Sequence, residues 1–130
     1  MKGTHQMNVL CVERDRAKLR QMRKEAREIV PGARIIPCRD PCKAEAVAKA
    51  KGCDVLLTET AFEGLGLDGV MLAEQIQLVN PKVNIILITD HADSRAACDA
   101  WRIGASAFLL RPYEKQRLAK ALADPRFAQV

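Results

Sequence analysis

The chain predicts a doubly wound α/β domain in which five parallel strands alternate with five helices, and three observations carry that expectation. Short apolar runs recur along the sequence, each followed by a segment whose apolar residues lie three and four apart. The connections between them are a few residues long, as right-handed βαβ crossovers in a single sheet require. The run Asp54-Val55-Leu56-Leu57-Thr58-Glu59 carries a short apolar stretch, Val55 to Leu57, ahead of its terminal carboxylate and is followed by Gly64, Gly66 and Gly69. That is the pattern of a strand buried on both faces at the centre of a parallel sheet.

Taken in order, residues 1–7 carry no periodic signal and are expected to be a loose start. Asn8 to Val12 is the first strand, ending in Glu13-Arg14-Asp15. From Asp15 to Val30 the positions Leu19, Met22, Ala26, Ile29 and Val30 define an amphipathic helix stopped by Pro31-Gly32. Ala33 to Pro37 is the second strand. Asp40 is placed to cap a helix with Pro41 at its first position, running through Ala44, Val47 and Ala48 to Gly52. The central strand follows and puts Glu59 at its carboxyl end, the edge where open α/β sheets collect ligands and chemistry. Asp68 to Val79 is the third helix, closed by Asn80-Pro81, and Val83 to Ile88 the fourth strand, closed by Thr89-Asp90. A helix through Ala92, Ala96, Ala100 and Ile103 stops at Gly104. Ser106 to Leu110 is the fifth strand, ended by Arg111-Pro112, and Glu114 to Ala123 the last helix. One domain is therefore expected over residues 8–124, with 125–130 as a tail.

At 130 residues the chain is long enough to bury a core without metal or disulfide staples. Its five cysteines, Cys11, Cys38, Cys42, Cys53 and Cys98, are odd in number and contain no C-x-x-C pair, which argues against a disulfide framework or zinc site. No run reaches the length of a membrane span and the first residues lack a signal-peptide core, so a soluble, cytoplasmic protein is expected. Basic residues exceed acidic ones by 21 to 16, and seven of them (Arg14, Arg16, Lys18, Arg20, Arg23, Lys24, Arg27) lie between Arg14 and Glu28 against three acids. No aromatic residue interleaves with them, so a solvated helix face is the expected reading and direct nucleic-acid binding is not.

The strand-end residues are diagnostic together. Glu59 and Thr89 are 30 positions apart, Thr89 and Arg111 are 22 apart, and the last strand reads Gly104-Ala105-Ser106-Ala107-Phe108-Leu109-Leu110-Arg111-Pro112. From about Asn8 to Ala123 the chain resembles a response-regulator receiver domain, the CheY-like type. Its segments GVMLAEQIQLVNPKVNIILIT and ACDAWRIGASAFLLRPY are most similar to receivers that precede LytTR-type DNA-binding domains. The resemblance implies a flavodoxin-like (βα)5 fold with strand order 2-1-3-4-5.

It also implies a set of site residues. In such receivers an acidic pair ends the first strand, an aspartate at the end of the third accepts a phosphoryl group, a Thr or Ser ends the fourth, and a Lys before a Pro ends the fifth. Here the acidic pair is Glu13 and Arg14, with Asp15 beside them, the acceptor is Glu59, the hydroxyl is Thr89 and the lysine is Arg111. Phe108 stands at the switch aromatic, and only it, Thr89 and Pro112 match without change. The glycine loop from Phe62 to Gly69 lacks the usual proline and reads about two residues longer.

An ordinary receiver site gathers three carboxylates and one lysine, which a bound Mg²⁺ neutralises. In this chain Glu13 and Glu59 are offset by Arg14 and Arg111, so no cofactor is expected, and Arg14 is expected to take the space and charge role of the magnesium by pairing with Glu13 or Glu59. Asp15 is the residue through which weak Mg²⁺ binding would survive. Two readings of Glu59 stay open: a permanent imitation of the phosphorylated state, with Thr89 drawn in and Phe108 buried, or a structural carboxylate satisfied by Arg111 in a retired site. Trp101 is an interface candidate expected to be partly packed, and His5 and His91 have no plausible metal partner.

The expected function is that of a degenerate, non-enzymatic receiver that signals through protein contacts. Its partners would be a histidine kinase or an output domain on the fourth-helix, fifth-strand, fifth-helix surface, with a homodimer also possible. Three alternatives remain. One is a phosphoacceptor regulator with an altered site. Another is a small flavodoxin-like ligand-binding protein, disfavoured by the bulky charges of ERDRAKLR after the first strand. The third is nucleic-acid binding through the Arg14 to Arg27 helix, which would show a steep salt dependence.

Overall fold

The computed structural model describes residues 6–62, 68–91 and 94–124. Five strands, β1 (Asn8–Val12), β2 (Arg34–Cys38), β3 (Val55–Glu59), β4 (Asn84–Thr89) and β5 (Ala107–Leu110), form one parallel sheet in the order β2-β1-β3-β4-β5. The helices are α1 (Arg16–Ile29), α2 (Pro41–Lys51), α3 (Gly69–Val79), α4 (Ser94–Arg102) and α5 (Lys115–Leu122). Class, element order and strand order are those expected, and the boundaries shift by one or two residues. The expected loose start lies outside the described residues up to residue 5, as do the tail 125–130, His5, Ala92 and residues 63–67 of the glycine loop.

Two cores lie on opposite faces of the sheet, because successive strand residues point to opposite sides. Leu10, Leu56, Ile85 and Leu87 pack with Ala44, Ala48, Leu72 and Ile76 of α2 and α3 and with Ala100 of α4. Val9, Leu57, Ile86 and Leu109 pack with Leu19, Met22 and Ala26 of α1 and with Leu118 and Leu122 of α5. Every residue of β1, β3 and β4 is buried, whereas β2, at the sheet edge, leaves Arg34 and Pro37 exposed. Proline is tolerated there because an edge strand has one row of N–H groups with no ladder partner.

The helices begin where aspartates can hold their first N–H groups. Asp15 Oδ1 accepts from Lys18 N at 3.0 Å, Asp40 Oδ1 from Cys42 N at 2.8 Å and Asp68 Oδ1 from Met71 N at 2.8 Å. The stop after α4 is Gly104 at φ +74°, a conformation that costs a residue with a Cβ.

The placement of α3 governs the end of β3. Gly69 N donates to Thr60 O at 2.9 Å, and a Cβ at Gly69 would lie 1.9 Å from the Glu59 carbonyl oxygen. Only glycine lets α3 start this close to the strand that carries Glu59. Gly69→Ala is expected to cost about 2–3 kcal/mol through overpacking, read as a lower urea midpoint with an unchanged m-value.

Candidate functional site

Four segments meet at the carboxyl edge of the sheet. Glu59 ends β3, Glu13 follows β1, Thr89 ends β4 with Asp90 next, and Arg111 follows β5. Arg111 N donates to Thr89 O at 2.8 Å, so the chain leaving β5 stays against β4 and the side chain turns toward the centre of the edge. There Arg111 Nη1 lies 2.7 Å from Glu59 Oε2 and 3.6 Å from Asp90 Oδ2, while Nη2 lies 3.1 Å from Glu13 Oε1. The side chains are 17%, 9% and 5% exposed for Arg111, Glu59 and Glu13, so solvent screens these interactions weakly.

Each carboxylate has further partners. Glu59 Oε1 accepts from Thr60 N at 3.1 Å and Thr60 Oγ1 at 3.3 Å. Glu13 Oε2 accepts from Asp15 N at 2.9 Å, while its buried Oε1 faces Arg111 without hydrogen-bond geometry. That pair is Coulombic only, and burial prevails over it: the Glu13 carboxyl titrates above its ordinary value, with Asp15 N–H and Arg111 acting against the shift and Glu59 adding to it. For Arg111, burial opposes the charge, but Glu59, Glu13 and Asp90 more than offset it and hold its pKa above the ordinary value. Lys18 also pairs with Asp90; this bond lowers the Asp90 pKa and raises that of Lys18.

The donor set does not fit Mg²⁺. A magnesium ion requires hard oxygens in near-octahedral array, and here a guanidinium already stands against both central carboxylates. Asp15 spends its carboxylate on capping α1. Among the described residues no group of three His, Cys, Asp or Glu side chains is arranged to hold a metal.

The expectation for Arg14 is corrected in one respect. Arg111, rather than Arg14, is the cation paired with Glu13 and Glu59, because the path out of β5 aims it inward, whereas Arg14 is exposed on the loop before α1. Arg14 lines the mouth of a cleft of about 800 Å³ with Glu13, Asp15, Glu59, Asp90 and His91, and its carbonyl accepts from Arg39 Nε at 2.9 Å. Thr89 Oγ1 bonds within its own loop, accepting from His91 N at 3.1 Å and donating to His91 O at 3.2 Å. Phe108 is half-buried against the α2–α3–α4 core, and Pro112 is exposed.

Trp101 is not partly packed but 87% exposed. Ala100 and Ile103 set the inward side of the helix, and one residue on from Ala100 the helical period turns the indole outward. Cys38 and Cys42 are free thiols, and burial raises the Cys38 pKa, which disfavours the thiolate that redox chemistry needs.

Sequence reasoning missed Asp90 and Lys18 as members of the cluster. The signal was present: Asp90 adjoins Thr89, and Lys18 sits one turn into the helix that starts at the first strand's acidic end. Nor was the bond from Tyr113 Oη to Glu25 Oε1, 2.6 Å, foreseen; it ties the segment after Pro112 to α1.

Comparison with known proteins agrees with this fold. The response regulator receiver domain family matches residues 9–123. The DNA-binding transcriptional regulator NtrC of Escherichia coli K12 is 37% identical over 70 residues, 54% of this chain and 14% of its own length, so the chain spans a small part of that relative. A CheY-like receiver protein from Methanospirillum hungatei JF-1 superposes with a TM-score of 0.81 at 16% identity, covering 94% of each chain. A receiver domain protein from Clostridium thermocellum does so at 0.77 and 19% identity, over 89% of this chain and 90% of its own.

Arg111→Met leaves two buried carboxylates without their cation and is expected to cost about 3 kcal/mol in urea unfolding at neutral pH. Because the Glu13 pKa is raised in the fold, its favourable contribution is full below the ordinary carboxylate range and is lost as pH rises through the folded value. Glu13→Gln should therefore raise the melting temperature at neutral pH, with the gain vanishing as pH falls below that range.

Proposed function

The chain belongs to the response regulator receiver domain family, as a receiver of two-component signalling, and from that premise we propose that it is a degenerate receiver acting by protein contact without Mg²⁺-dependent phosphorylation. The observation that carries the reading is the Arg111 guanidinium paired with both Glu13 and Glu59, with glutamate standing at the strand end where the family's phosphoacceptor is aspartate. Glu59 has its lone pairs engaged by Arg111 and Thr60. Thr89 has its hydroxyl turned to His91 rather than to Glu59. This supports a structural Glu59 in a retired site over a permanent imitation of the phosphorylated state, which would draw Thr89 toward the carboxylate.

Receivers of response regulators work with histidine kinases and output domains. For this chain the proposed contact surface is α4–β5–α5, where Trp101 is 87% and Leu110 40% exposed, either against such a partner or in a homodimer. The likeness to a DNA-binding transcriptional regulator supports an output in transcription, delivered by a partner or an attached domain. A cytoplasmic location accords with this role; among the described residues no helix is long and apolar enough to cross a membrane.

Intact-mass spectrometry after incubation with a small-molecule phosphodonor tests the proposal. The parent chain should gain no phosphoryl group with or without Mg²⁺, beside a conventional receiver that does. The combined variant Arg14→Asp, Glu59→Asp, Arg111→Lys should acquire a Mg²⁺-dependent gain of one. A Mg²⁺-dependent gain in the parent sinks the proposal and makes the altered phosphoacceptor the better reading.

A further inference from the structure

The two flanks of α1 differ in how their charges are satisfied. On the flank toward α5 and the carboxyl edge, Glu28 pairs with Lys115, Glu25 accepts from Tyr113 and Lys18 pairs with Asp90. On the other flank stand Arg16, Arg20, Arg23 and Arg27, at intervals of four, three and four residues. At about 100° per residue these four fall within about 60° of one another on the helix surface, a stripe about 16 Å long. Among the described residues none of the four forms an ion pair or a side-chain hydrogen bond.

The stripe borders a groove between α1 and edge strand β2. One depression of about 360 Å³ is lined by Arg16, Leu19, Arg20, Arg23, Pro37 and Arg39. A second of about 350 Å³ adjoins it on α1 alone, along Arg20, Arg23, Lys24 and Arg27, with Glu28 its single acid. Arg23, common to both, holds a buried Nε that lacks an acceptor. An unpaired row of guanidiniums repels itself and calls for an anion lattice equally unbroken. Phosphodiester chains supply one, at one charge per about 1.7 Å of duplex axis, and the planar fork of arginine fits phosphate oxygens. A protein surface intersperses its carboxylates with cations and matches such a row poorly. No aromatic side chain lines either depression, so no base is stacked and no sequence is read there.

We propose that the α1–β2 groove, through Arg16, Arg20, Arg23, Arg27 and Arg39, binds the phosphate backbone of duplex nucleic acid without sequence preference. This surface adjoins the cleft of the Arg111 cluster at Arg39, which lines both, but the proposal does not rest on that cluster.

Fluorescence anisotropy with two labelled duplexes of unrelated sequence tests the proposal on the full chain. Both should bind alike, with affinity falling about 100-fold between 50 and 200 mM salt, the loss expected for about four phosphate contacts. Neutralising Arg16, Arg20, Arg23 and Arg27 to Gln should abolish binding, while neutralising Lys51, Lys82, Arg102 and Lys120 to Gln, the same change in net charge, should leave most of it. The single reversals Arg20→Glu and Arg27→Glu, at exposed positions, should each weaken binding at least 10-fold and stand in if the fourfold variant does not fold. Absence of binding at 50 mM salt, or equal loss in the stripe and control variants, overturns the proposal. Displacement of the duplex by an acidic peptide at equal charge concentration also overturns it and assigns the groove to an acidic protein.

Discussion

The carboxyl edge of this sheet depends on one ion cluster, Arg111 held among Glu13, Glu59 and Asp90. Removing two carboxylates from water is unfavourable unless a cation accompanies them, and mutual attraction in a low-dielectric setting offsets that cost only with good geometry. Glu59 meets this condition through a short pair with Arg111 and two bonds to Thr60. Glu13 meets it less well, which is why its proton affinity rises while Arg111 stays charged. Much of the surrounding architecture serves to keep these groups in register. The β4–β5 pairing delivers Arg111, and the glycine at the start of α3 permits a helix to begin against the backbone of Glu59.

The fold was legible in the sequence because its signals are local and repeated. Apolar runs too short for helices, aspartates at helix starts and stops at Gly52, Asn80 and Gly104 agree with one another, and such consistency across levels is what specifies a structure. The site was legible in part of its membership, without Asp90 and Lys18, and only partly in its pairing. Glu13, Glu59, Thr89 and Arg111 follow from strand ends, which topology brings together. Which arginine faces the carboxylates depends on the direction of two loops, and no pattern in Glu13-Arg14-Asp15 or Leu110-Arg111-Pro112 encodes that. The exposure of Trp101 is hidden from the pattern for a related reason: apolar character does not by itself give burial, and Ala96, Ala100 and Ile103 already fill the inward side.

Helix α1 shows how one element can carry two unrelated charge economies. Its apolar residues Leu19, Met22 and Ala26 fix its rotation on the sheet. That rotation sends Lys18, Glu25 and Glu28 toward partners on neighbouring elements and leaves the arginines facing the edge strand. Composition alone, seven bases against three acids in this stretch, conceals the separation, since the acids are not available to the arginines.

The bonds of Thr89 carry a consequence for how the edge transmits change. With the hydroxyl closed on His91, the contact that joins the β4–α4 loop to the carboxylates among the described residues runs through Asp90 and Arg111. Thermodynamic reciprocity then applies along that route. Any molecule whose binding at this edge changes the proton affinity of Glu13 by some factor has its own affinity changed by the same factor when Glu13 is protonated. Acidity inside the cleft and occupancy outside it are two readings of one coupling constant.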